Sequence, residues 1–158
     1  MSRLYTVTFE AVAVTAAQDF FCLEPADDKP VRILGVMLSQ SSDVGDAAEE
    51  ILRVTITRVP ATFTSGSGGT TPTARLIDAT GAAAGFTAEA NNTTVATTSG
   101  TLENLLAYQF NIRTGLELFL PPELQPMFVQ GTGGAVRLAA APTDSLTMSG
   151  TLFVEELG

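Results

Sequence analysis

Apolar and polar residues alternate along most of this chain, with a period of two. In "RLYTVTFEA" the apolar set is Tyr5, Val7, Phe9 and Ala11, with Thr6, Thr8 and Glu10 between them. "EEILRVTITR" sets Leu52, Val54 and Ile56 against Arg53, Thr55 and Thr57. "LLAYQFNIR" sets Leu106, Tyr108, Phe110 and Ile112 against Gln109, Asn111 and Arg113. "AVRLAA" turns Val136 and Leu138 inward, and "SLTMSGTLFVEEL" places Leu146, Met148, Leu152 and Val154 opposite Thr147, Ser149, Thr151 and Glu155. Successive side chains of a strand point to opposite faces, so each run predicts a strand with one wet face. Two runs differ. "VRILGVML" is apolar on both faces from Val31 to Leu38, which predicts a central strand covered on both sides, part of the cover coming from another subunit. "GLELFLPP" puts Leu116, Leu118 and Leu120 on one side and Phe119 on the other. Its prolines end the strand because they cannot donate to a ladder.

Helical signals are short. Capping residues and an acidic first turn predict one turn over 46–50, and "SGTLENLL" predicts another over 102–105. About seven to nine strands, joined by connectors too short for crossover helices, predict mainly antiparallel sheets. The expected fold is all-β: an antiparallel two-sheet sandwich, jelly-roll-like, with long Gly/Ser/Thr-rich loops. The 158 residues are expected to form a single domain, 1–158. The connector over about 61–80 contains "TSGSGGTTPT" and has too little apolar surface to offset its ordering entropy, so it is expected to be flexible. A second irregular region, 81–101, contains "NNTTVATTSG".

Composition narrows the class of partner. The chain carries 8 basic and 17 acidic residues, a net charge of −9. Lys29 is the sole lysine. Nucleic-acid affinity grows by replacing phosphate counterions with Lys and Arg, so no nucleic-acid partner is expected, and an anionic membrane is disfavoured for the same reason. The N-terminal stretch has no basic region followed by an apolar run, and no apolar run is long enough to cross a bilayer. The chain is therefore expected to be soluble and made in the cytoplasm, which leaves the sequons at Asn91 and Asn92 without a role. Cys22 sits among Phe20, Phe21 and Leu23 and reads as a buried structural thiol, since a nucleophilic cysteine needs a base and the chain has no histidine.

The remaining chemical candidates are thin. "SGSGG" has no following lysine and no helix to cradle a phosphate. The acidic turns "PADDKP" and "SSDVGDAAEE" read as solvated; Asp43 and Asp46 do not follow the spacing of a calcium loop. One cysteine without histidine serves zinc poorly. Asp27 with Asp28, and Glu155 with Glu156, are adjacent and would point apart on a strand. Glu10 and Glu117 lie on different strands, where a fold can bring them together. No enzymatic activity, cofactor or metal is expected. The richest contact material is "LELFLPPELQPMFV", whose Phe119, Leu124, Met127 and Phe128 exceed what one sheet face can bury and are the expected interface residues.

In the strand "LYTVTFEAVAVTAAQDFF", the two-faced "VRILGVML" and the closing "DSLTMSGTLFVEEL", the chain resembles the decoration or cement proteins of tailed bacteriophage heads. The resemblance covers the whole chain as texture and includes no diagnostic motif. It implies a jelly-roll-like subunit, a homo-oligomer assembled as a trimer, bound to the major capsid protein or another virion protein on the outside of the head. It implies location in the virion after synthesis in the host cytoplasm. Two other readings compete. One is a receptor- or glycan-binding module of a phage tail or fibre, which would need aromatic platforms; Tyr5 and Tyr108 both fall on inward positions. The other is an enzyme on a cupin-like barrel, which would need histidine ligands.

Overall fold

The computed structural model describes residues 2–42 and 49–158. The predicted turn over 46–50 and the acidic residues Asp43 and Asp46 lie wholly or mostly outside them; Glu49 and Glu50 are irregular. The strands are β1 (Ser2–Val14), β2 (Gln18–Glu24), β3 (Val31–Gln40), β4 (Ile51–Val59), β5 (Arg75–Leu76), β6 (Thr87–Asn92), β7 (Glu103–Asn111), β8 (Leu116–Phe119), β9 (Met127–Phe128), β10 (Gly133–Leu138) and β11 (Leu146–Leu157). One 3-10 turn, Pro122–Leu124, stands between β8 and β9.

These strands form two antiparallel sheets packed face to face. Sheet I has the order β5-β1-β11-β3-β8, with β9 also on β3; sheet II has the order β6-β2-β10-β4-β7. The chain changes sheet at almost every connection, staying within one sheet only between β6 and β7 and between β8 and β9. That stepping, with β1-β11-β3-β8 facing β2-β10-β4-β7, is jelly-roll connectivity.

The alternation predicted from sequence builds the core. Tyr5, Val7, Leu52, Val54, Ile56, Val136, Leu138, Leu146, Met148, Leu152 and Val154 are all buried between the sheets. Two register shifts explain the exceptions. In β1 the pairing with β11 skips between Phe9 and Val12. Ala11 there has φ 50 and is exposed, and Val14 takes the inward place. A bulge of this kind adds one residue and flips the faces beyond it. In β2 the partners of β10 jump from Phe21 to Asp19. Phe20 and Phe21 are therefore both buried, against the ring of Phe9 at 6.0 and 5.2 Å.

Residues 102–105, expected as a helical turn, instead lead into β7. Register with β4 pairs Asn104 with Thr57 and Glu103 with Arg58, and an Arg58–Glu103 ion pair of 2.9 Å fixes the entry. Sheet pairing has overridden a weak local preference.

The segment expected to be a slack loop has defined partners. Thr64 and Thr97 exchange backbone hydrogen bonds of 3.0 and 2.9 Å, Ser67 and Thr94 of 2.9 and 3.0 Å, and Thr70 and Ala90 of 2.9 and 2.8 Å. A Cβ on Gly66 would lie 1.9 Å from the Thr94 carbonyl oxygen, and one on Gly69 2.0 Å from that of Ala90. The glycines of "SGSGG" thus permit close backbone approach. Residues 60–70 and 94–97 cover the outer face of sheet II, where Cys22, Val59 and Ala96 form a second small core against Phe63.

Candidate functional site

The outer faces of the two sheets are unlike. That of sheet II lies under the chain's own layer, held by a buried ion pair. Arg137 donates from Nε to Asp19 Oδ1 at 2.6 Å and from Nη2 to Asp19 Oδ2 at 3.2 Å and to the Ala96 carbonyl at 3.0 Å. Ala96 N–H completes the ring by donating to Asp19 Oδ2 at 2.7 Å. Asn91 and Asn92, the sequon residues, are buried at the end of β6, Asn91 accepting from Gln18 Nε2.

Cys22 is buried beneath Phe63, as its apolar neighbours predict. Burial pushes its thiol well above the ordinary range, and the carboxylates of Asp19 and Glu89 push the same way against Arg137. Thiolate is then absent at neutral and mildly alkaline pH. Native protein at pH 8 is expected to resist maleimide and Ellman's reagent and to label fully once denatured; rapid stoichiometric labelling of the native chain would refute this burial.

No part of the described chain covers the outer face of sheet I. Register places Phe119, Gly35 and Phe153 in one row across β8, β3 and β11, and Met37 in the next. The rings of Phe119 and Phe153 meet at 5.1 Å above Gly35. Met127 stands opposite Arg32, whose guanidinium is 3.5 Å from Glu155. Phe119 is 53% exposed, Met127 41% and Met37 38%. β3 is central within its sheet as predicted, but within the described chain only one of its faces is covered.

The expected interface residues fall partly together. Phe119 and Met127 share the bare face. Leu124, 67% exposed, sits on the 3-10 turn and lines with Met127 a groove of about 410 Å³ that also includes Leu105, Leu106 and Leu120. Phe128 is 1% exposed and belongs to the core: it pairs with Val31 on the inward side, so it presents no surface. Tyr108 also departs from expectation. Its position is inward by register with Val54, yet it is 49% exposed, because β7 is an edge strand that sheet I does not fully face.

Glu10 and Glu117 do come to one place. Both line a trough of about 500 Å³ on the outer side of sheet I, with Thr8, Ser39, Ser149 and Thr151. Among the described residues, no three His, Cys, Asp or Glu side chains are grouped so as to hold a metal ion. Glu155 and Glu156 point apart as expected. Glu155 reaches Arg32, while Glu156 is buried and accepts the backbone N–H of Gly85 at 2.6 Å and of Phe86 at 3.2 Å. Compared with protein-family models, with curated proteins and with solved structures, the chain matches none of them.

Proposed function

We propose that this chain is a virion structural subunit: a decoration or cement protein that lies on the outside of a tailed-phage head and stabilises it through contacts with the major capsid protein. The observation that carries the reading is the asymmetry of the sandwich. The chain's own layer covers Cys22 of β2 and Val59 of β4 and, among the described residues, leaves sheet II bare only toward its β4–β7 edge, at Ile51, Leu105 and Tyr108, whereas sheet I presents Met37, Phe119 and Met127 to solvent across its outer face. Contiguous exposed apolar surface of this kind marks a contact face. Hydroxyl-bearing Thr6, Thr8 and Thr151 lie among these residues, so the face stays soluble until assembly, helped by the net charge of −9. Many copies on one shell would let modest single contacts add through avidity.

The test uses purified heads, lacking this chain, of the phage whose genome carries it. Added protein is expected to sediment with the heads and to raise the temperature at which they release DNA. Phe119→Glu is expected to lower the bound copies at least tenfold, a loss of about 1.4 kcal/mol per contact. Its own melting should change little, because Phe119 is exposed. Heads that bind no protein, or that bind Phe119→Glu equally well, would sink the reading.

The trough supports a second reading, a glycan-binding module of a tail or fibre. Its hydroxyls and the carboxylates of Glu10 and Glu117 suit the hydrogen-bonding edge of a sugar. Specific binding on a glycan array, abolished by Glu117→Ala, would favour it over decoration.

A further inference from the structure

We propose that β7 pairs with β7 of a second copy, antiparallel about a two-fold axis near Ala107, so that sheet II continues from one chain into the other. β7 is the edge of sheet II, and among the described residues only β4 pairs with it. Six of its nine residues are exposed, which is unusual for a long strand, since a bare edge is a template for another chain. Natural edges are commonly blunted by charge or proline. From Asn104 to Asn111 this one has neither: the run reads "NLLAYQFN". A bulge opposite Ile56 and Thr57 interrupts only its first residues, leaving the stretch from Leu106 onward regular.

The occupant is argued from charge and from pattern. Two copies of a chain with net charge −9 repel almost everywhere, and an uncharged strand is where their backbones can approach at least cost. About an axis at Ala107, Leu106 of each copy stands opposite Tyr108 of the other, and Leu105 opposite Gln109. No like charges meet. Register with β4 already puts Leu106 beside Ile56 and Tyr108 beside Val54 on the core side. The pairing therefore extends the inner apolar rows across the junction. Each Tyr108 ring reaches the groove between Leu106, Leu120 and Leu124 of the other copy. Cross-strand aromatic and aliphatic pairs of this kind are the stabilising unit of a sheet. The contact is two-fold, so it is additional to any three-fold assembly, and it stands on β7 alone, independent of the decoration reading.

Light scattering over a concentration series is expected to give a mass that rises to twice that of one chain. Ala107→Glu sets two carboxylates against each other at the axis and should weaken this association at least 100-fold. Ala107 is exposed, so the variant should melt like the parent. Independently, Ala107→Cys should form a disulfide-linked dimer on mild oxidation, because a residue on the axis meets its own copy within the distance such a bond spans. Leu105→Cys should not, and buried Cys22 should not take part. A chain that stays single at millimolar concentration, an oligomer indifferent to Ala107→Glu, or cross-linking at 105 in preference to 107 would each overturn the pairing. A chain that binds phage heads while β7 stays unpaired would overturn it too, and would leave the decoration reading intact.

Discussion

Val54→Asp is expected to yield no folded protein at neutral pH. Val54 is 2% exposed at the centre of β4, between Leu138 of β10 and Tyr108 of β7, in the main core. No cation lies on the inward row it shares with Leu52 and Ile56. A carboxylate there is stripped of water without a partner, which costs several kcal/mol even after the surroundings relax. Domains of this size have only about 5–15 kcal/mol to lose. Volume alone is a smaller matter: Val54→Ala should cost on the order of 2 kcal/mol. The two effects separate with pH. Burial favours the neutral carboxyl, so the folded-state pKa of the introduced Asp lies above its unfolded value of roughly 3.9. The penalty is smallest below that value, where both states are protonated, and grows as pH rises. Circular dichroism of the soluble fraction is the measurement, and a cooperative melt for Val54→Asp at pH 7 near that of the parent would refute the core assignment.

The period-two rows made most of this architecture readable, because burying one face of a strand leaves a mark on every second residue. Val54 is a case: its neighbours at 52 and 56 announce its direction. The bulges were less readable. Ala11 looks inward by counting, and only the pairing of Phe9 with Gly150 and Val12 with Met148 reveals the extra residue. The pairing of 64–70 was not readable. The glycines there carry the same letters whether they confer slack or admit a carbonyl within touching distance, and only the partners at Ala90 and Thr94 decide. Among the candidate contact residues, Phe119, Leu124 and Met127 were legible as apolar excess in a short Pro-bounded run. Phe128 was indistinguishable from them until its pairing with Val31 was known. Glu156 had a usable signal, since it continues the inward row of Leu152 and Val154. An acidic residue on such a row calls for donors, and the N–H groups of Gly85 and Phe86 are those donors. Asp19 and Arg137 had none, being 118 residues apart in the chain.

That pair carries the second large effect. Asp19→Ala is expected to cost about 3–5 kcal/mol, the range for breaking a buried ion pair from one side. Asp19 is fully buried and the Arg137 side chain is only 14% exposed, so among the described residues the guanidinium would be left with the Ala96 carbonyl alone as its anchor. The Ala96 N–H would lose its acceptor as well. The damage should also spread outward. Ala96 precedes Thr97, whose exchange with Thr64 holds the strip that brings Phe63 over Cys22. Loosening that strip should make Cys22 accessible to maleimide in protein that is still folded, a readout that loss of global stability alone would not give. The double variant Asp19→Leu with Arg137→Met removes both charges and should recover most of the loss, because the cost lies in the orphaned partner rather than in the absence of the bridge. If denaturant melts show under about 1 kcal/mol for Asp19→Ala, or no recovery in the double variant, then the layer over sheet II is held by its backbone ladder and not by this pair. A large loss with Cys22 newly labelled would mean that one buried ion pair keeps sheet II roofed, and hence decides which face of the sandwich is left open to a partner.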